Sequence, residues 1–286
     1  MLPSTIVRVL STAALCTFIA AAQPKFEATS LLGRRLESQA SDDKGVIAAA
    51  QNALNADLGN VSLVVKLSQA QASLWQSKEA AETCTKALKE HPDNIDLLTE
   101  RGHRYVALRR FKDAKTDLER AAKLGSKNPE TFYHLGLADL FLQDYKAASD
   151  AFCDKGFPLA ENDDAKVNFT NWCYATSRRA GLTDKANQAI AWVGPTSPTG
   201  HSAHYYSLVR FFQKNKTEAE IVPANAGSDI ESELQFTTIA FGVANWYMAN
   251  GDTAKAKAYY ERIVKGKVWG TWGFVGSEVE LARMKH

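Results

Sequence analysis

Small and large residues recur along this chain at an interval of 34. Ala80, Ala114 and Ala148 stand 34 residues apart; Cys84, Leu118 and Phe152 follow each alanine by four, and Val64, Leu98 and Phe132 precede it by sixteen. Gly102 and Gly136 keep the interval, with Ser68 as their small equivalent, and Ala87 and Ala121 continue the series. In the stretch AETCTKALKEHPDN, residues 81–94, Pro92 stops a helical pattern where one unit ends. Self-similarity at a period of roughly 20 to 50 residues marks a stack of like supersecondary units, so the period limits the fold before composition does.

Apolar positions inside each unit keep helical spacing, so each unit is read as an antiparallel helix pair. Alanine, glycine or serine at the crossing lets two backbones approach, and the leucine, phenylalanine and valine positions fill the space between one pair and the next. One pair alone cannot bury its apolar face, and a chain of 286 residues that is 45% apolar has the material for a stack. The pattern resembles the tetratricopeptide repeat, whose Trp, Leu-Gly, Tyr, Ala, Phe, Ala and Pro at fixed offsets are matched in pieces. Residues 61–94 supply Leu67, Ala80, Ala87 and Pro92; 95–128 supply Gly102, Tyr105, Ala114 and Ala121; 129–162 supply Leu135, Gly136, Ala148 and Phe152. Arg101 stands in place of the expected leucine, Asp139 of the tyrosine and Lys155 of the last alanine. The resemblance implies an all-α fold, a right-handed α-solenoid of antiparallel helix pairs wound as a TPR-like superhelix.

Beyond the third repeat the period stretches. Ala186 takes the alanine role 38 residues after Ala148, which reads as four residues added to the turn of a degenerate repeat at 163–196. A second degenerate pair is expected over 202–222 and a third over 230–265, where Tyr247, Ala256 and Tyr260 restore the match and NGD at 250–252 makes the turn. DKGVIAAAQNALNAD reads as a lone helix capping the first repeat. Residues 266–286, containing KVWGTWGFVGSEVELARMKH, read as a C-terminal cap in which a glycine and tryptophan turn precedes a polar-faced helix. The loops GPTSPTGHS and PANAGSD interrupt the stack without dividing it.

The N-terminus follows another plan. One Arg8 precedes an unbroken, mostly apolar stretch over 9–22, and Ala20 and Ala22 flank Ala21 as signal peptidase requires. Residues 1–22 are therefore expected as a signal peptide, 23–40 as a flexible segment and 41–286 as the repeat domain. Fourteen apolar positions fall short of the ~20 that span a bilayer. The expected protein is exported, periplasmic or secreted, with no stable membrane span after cleavage; an uncleaved N-terminal anchor is the alternative. Cys84, Cys153 and Cys173 remain, of which Cys153 and Cys173 lie on sequential helices and form the pair one disulfide would join. Three buried thiols are the other reading.

A net charge of +2 from 34 basic and 32 acidic residues, with no basic run, argues against a nucleic-acid partner. Among six histidines only His201 and His204 are close, and no cysteine pair, carboxylate cluster or His-Glu-x-x-His stands beside them. A solvated helix start accounts for them. The nucleophile elbow, the phosphate loop and the dinucleotide fingerprint are absent. Asp163 and Asp164 sit at a helix start, where the positive end of the helix favours acids. Neither catalysis, a metal nor a cofactor is expected.

The family resemblance also implies which residues line a concave face. By register they are Asp96, Thr99, His103 and Val106, then Tyr133, Leu137, Leu140 and Phe141, then Asn171, Arg178 and Arg179. Such a groove is apolar in the middle and basic at one end, and suits a protein or peptide segment whose carboxylate meets the arginines; packing of Leu137 and Leu140 between helices is the alternative. Val65 and Gln69 stand where family members that grip chaperone carboxyl ends carry lysine and asparagine, so that ligand is not expected. The function implied is a non-catalytic interaction scaffold, with a structural subunit packed permanently into a larger envelope or enzyme complex as the alternative.

Overall fold

The computed structural model describes residues 23–39, 41–196, 200, 202–224, 227 and 229–285. The expected signal peptide, His201 and part of the first loop lie outside them. A helix α1 (Val46–Ala56) precedes the pairs α2 (Val61–Ser73) with α3 (Ser77–Ala87) and α4 (Ile95–Ala107) with α5 (Phe111–Lys123). Next come α6 (Pro129–Phe141) with α7 (Tyr145–Ser149), which continues as a π-helical stretch through Asp150–Gly156, and α8 (Asp163–Arg179) with α9 (Thr183–Ile190). The chain ends with α10 (Ala203–Phe212) and the short α11 (Glu218–Ile221), then α12 (Ile230–Ala249) with α13 (Thr253–Ile263), then α14 (Trp272–Arg283). It is an all-α solenoid of helix pairs.

Each of the four inner helices from α2 to α8 begins on an asparagine. Asn60, Asn94, Asn128 and Asn162 are 34 apart, and their side chains accept hydrogen bonds from the N–H groups of Leu63, Leu97, Glu130 and Ala165. Such caps satisfy donors that have no partner within the helix. The turn inside each pair repeats as well. Trp75, Arg109 and Gln143, again 34 apart, adopt left-handed φ of 61°, 62° and 66°. The next N–H then closes the turn, as from Gln76 to the Gln71 carbonyl at 3.0 Å and from Arg110 to the Tyr105 carbonyl at 2.9 Å.

Packing explains the small residues. A Cβ on Gly102 would stand 2.6 Å from Leu118, and one on Gly136 2.6 Å from Phe152. Ala80, Ala114, Ala148, Ala186 and Ala256 are all fully buried at their crossings. Two departures from the family pattern form ion pairs between neighbouring helices. Arg101 of α4 grips Asp117 of α5 at 2.7 and 2.8 Å, and Asp139 of α6 accepts from Lys115 at 2.6 Å.

Three expectations are corrected. The four extra residues of the fourth repeat are not in its turn: α8 has 17 residues where α6 has 13, so one helical turn has been added. Residues 23–39 are not a flexible segment. They form a hairpin of β1 (Phe26–Thr29) and β2 (Arg35–Glu37), turned at Gly33 with φ 86°, which sinks Leu36 to 1% exposure in the main core. Glu27 of the hairpin accepts from the Lys78 N–H at the start of α3, 2.7 Å away. The last helix is not polar-faced, because Ser277, Glu278 and Glu280 are buried with their apolar neighbours. Cys153 and Cys173 are bonded, tying the π-helical stretch to α8 with Cα atoms 5.1 Å apart. Cys84 is a buried free thiol whose pKa burial pushes up to about 12.

Candidate functional site

The inner face is built from the first helices of the pairs, and the chain's own C-terminal segment lies across it. Glu233 accepts from the backbone N–H groups of Lys267 and Val268, and Arg34 of the hairpin turn donates to the Gly266 carbonyl at 2.6 Å. Trp269 follows. Its indole N–H donates to the Glu37 carbonyl at 2.8 Å, its ring meets Trp75 edge-on at 5.8 Å, and its carbonyl accepts from Arg109 at 2.9 Å. Glycines then let α14 sit close. A Cβ on Gly273 would lie 2.5 Å from the Thr237 carbonyl, and one on Gly276 2.2 Å from Phe241 and 3.1 Å from Phe141.

Two buried ion pairs fix the helix. Glu278 meets Arg109 at 2.8 Å, and Glu280 meets Arg179 at 2.8 Å. Burial lifts the Glu278 carboxyl above its ordinary range, and the nearby Arg109 opposes that shift. The last helix of the chain thus packs against residues of the expected strip, Phe141 and Arg179 among them.

That placement decides the fate of the residues expected to bind a partner. Tyr133, Leu137, Leu140 and Phe141 are buried, Phe141 to 4% exposure, and Val106 with them. The Tyr133 hydroxyl accepts from the Trp172 indole at 3.0 Å. Arg179 holds Asn245 at 3.0 Å as well as Glu280, and Arg178 holds Tyr174 and Asn250, each at 3.0 Å. These are internal contacts, not an open strip. Asp96, Thr99 and His103 do come together, beside the remaining open part of the inner face, and Asn171 lines a separate recess.

The recess at Asp96 has a volume of about 390 Å³ between α2, α4 and α6 and includes Glu100, Arg104, Glu130 and His134. Register reasoning missed these four. His134 follows His103 by 31 residues, one helical turn short of the repeat, and that offset is the signal that places both on adjoining inner helices. Their rings stack at 3.7 Å between centroids, with Trp272 5.3 and 5.7 Å away. Both imidazoles are neutral. The His134 Nδ1–H donates to the Glu130 carbonyl at 2.9 Å, and burial with the nearby Arg104 charge lowers its pKa to about 3. His103 accepts from Arg104 and is likewise held well below the ordinary imidazole range, chiefly by burial. Arg104 lies 3.2 Å from Glu100, which also accepts from Ser68 at 2.8 Å. Asp96, Glu100 and Glu130 thus line one recess with Arg104, and burial and Glu100 raise the Glu130 carboxyl. The recess is acidic and polar, suited to a cation or a donor-rich group.

Among the described residues no group of three or more His, Cys, Asp or Glu side chains is placed to hold a metal ion, and no helix is long and apolar enough to cross a membrane. No protein-family model matches the chain. Among solved structures it is similar to MamA, at 17% identity over 60% of this chain and 91% of that one, with a TM-score of 0.44. It is similar to YrrB, described as a TPR protein with an unusual peptide-binding site, at 16% identity over 77% and 92%, with a TM-score of 0.45. A tetratricopeptide repeat protein from Parabacteroides merdae ATCC 43184 shares 19% identity over 85% and 94%, with a TM-score of 0.49. Four helix pairs starting at 34-residue intervals, with a small residue at each crossing and a left-handed residue in each turn, give this chain the fold of a tetratricopeptide repeat solenoid.

Proposed function

We propose that the protein is an exported, non-catalytic interaction scaffold that takes a basic side chain of a protein or peptide segment into its acidic inner recess. The observation that carries the reading is that Asp96, Glu100 and Glu130 line one recess in which, among the described residues, Arg104 is the one basic side chain, with both neighbouring histidines held below their ordinary range. A lysine or arginine from a partner supplies the charge such a site lacks, and an excess of negative charge steers encounter as well as holding the complex. Export is supported by the signal-type pattern at residues 1–22 and by the Cys153–Cys173 bridge, since disulfides persist in oxidising compartments.

The test is anisotropy of a labelled lysine-rich peptide and a matched glutamate-rich peptide against residues 23–286. The lysine peptide should bind, and the double substitution Asp96→Lys with Glu130→Lys should weaken it at least about tenfold, or ~1.4 kcal/mol. Added salt should weaken it too. Lys146→Glu, on an exposed residue of α7, should leave it unchanged. Equal binding of both peptides, or indifference to the double substitution, removes this reading.

A further inference from the structure

A second recess, of about 280 Å³, has Trp272 in its wall. Its walls are Asn171, Trp172 and Ala175 of α8, Tyr205 of α10, Thr238, Phe241, Gly242 and Asn245 of α12, and the turn Gly270, Thr271, Trp272 and Gly273. Among the described residues no charged side chain lines it. Trp172 lies 6.4 Å from Tyr205 and 6.1 Å from Phe241, so the apolar part of the wall is a cluster of aromatic rings.

Most polar groups of these walls are already engaged. Asn245 accepts from Arg179 and donates to the Phe241 carbonyl; Thr238 donates to the Leu234 carbonyl, Thr271 to the Val268 carbonyl and the Trp172 indole to Tyr133. Asn171 is different. It is 3% exposed, and its Oδ1 has no hydrogen-bond partner. Buried polar atoms in folded proteins are nearly always partnered, so this oxygen, on a residue that lines the recess, lacks a partner that the chain itself does not supply. A second polar feature borders the same space. The Trp272 and Gly273 N–H groups open α14 and have no acceptor within that helix, and Gly270 leaves room beside them, with no atom within 4 Å of where a Cβ would be.

We infer that this recess binds a small uncharged ligand bearing a secondary amide on a ring or apolar body. The amide offers hydrogen bonds to the Asn171 carboxamide on one wall and a carbonyl to the start of α14 on another, while the body lies on the rings of Trp172 and Trp272. The absence of charged lining residues favours a neutral ligand, and the volume suits one N-acetylated amino sugar or one peptide unit. The site shares no wall residue with the acidic recess, so it stands or falls apart from the scaffold reading.

The experiment titrates residues 23–286 with N-acetylglucosamine and with N-acetylleucinamide, with glucose as the amide-free control, by calorimetry and tryptophan fluorescence. At least one amide probe should bind saturably below roughly 10 mM, with glucose at least tenfold weaker; the sugar alone or the leucinamide alone identifies the source of the amide. Asn171→Leu should weaken binding at least tenfold while raising the melting temperature, because it deletes an unpartnered buried oxygen. Gly270→Val narrows the mouth without backbone strain and should also abolish binding. Failure of both amide probes, or equal binding by the wild-type protein and the two variants, overturns the assignment.

Discussion

His134 shows how one buried side chain sets the response of the fold to acid. Its pKa in the folded protein is about 3, from burial first and the Arg104 charge second, while an unfolded histidine titrates near ~6.5. Between those values the unfolded chain binds a proton that the folded chain refuses. Stability is therefore present in full above pH ~6.5 and is lost progressively as pH falls toward about 3. At pH ~5 the loss from this residue is ~2 kcal/mol, and His103, also depressed, adds to it. Carboxyls raised by burial, Asp139 and Glu278 among them, act the other way, losing stability as pH rises through their own range, so the histidine contribution is read as the difference between the parent and a His134 variant over pH 5 to 7. Urea unfolding of His134→Gln should show a pH slope shallower by about one proton than the parent between those limits. Identical slopes would mean that His134 already titrates normally in the folded state.

The helix pair is the element at which sequence and structure agree best, because its crossing needs a small residue at a fixed spacing whatever else varies. Ala114 is fully buried between α4 and α5, so Ala114→Trp forces an indole into a filled crossing, where overpacking costs ~1 to 3 kcal/mol or more. A melting temperature within error of the parent would show that the crossing lies elsewhere. The asparagine caps were equally open to reading, since Asn60, Asn94, Asn128 and Asn162 keep the interval of the alanines. The hairpin was not: strands of four and three residues hold too few apolar positions for an alternation to register, and Leu36 finds its core only through the fold. The last helix misleads for a related reason. Glu278 and Glu280 read as solvated acids because their partners Arg109 and Arg179 are 169 and 101 residues distant. The residues read from register as an open strip are instead held in internal contacts, some of them with the far end of the same chain.

At the scale of the molecule those contacts change what kind of solenoid this is. An open repeat array is stabilised by neighbours alone, and its terminal repeats can open while the centre stays folded. Here the ends meet. Arg34 bonds Gly266 across 232 residues, Trp269 bonds Glu37 across 232, and Arg109 ties the second pair to α14. The first pair is thus coupled directly to the last, and partial opening of either end must break contacts at both. Residues 23–286 should then unfold in one transition, coincident by circular dichroism and tryptophan fluorescence. A chain ending at Lys265 loses Trp269 and Trp272 and leaves Arg109 and Arg179 without their carboxylates, and breaking a buried pair in this way costs ~3 to 5 kcal/mol. With the closing segment gone the nearest-neighbour regime returns, so the truncated chain should show separated transitions or fail to fold. A truncated chain as stable and as cooperative as the full one would mean that the segment is only draped over the inner face and that the groove beneath it is open to partners after all.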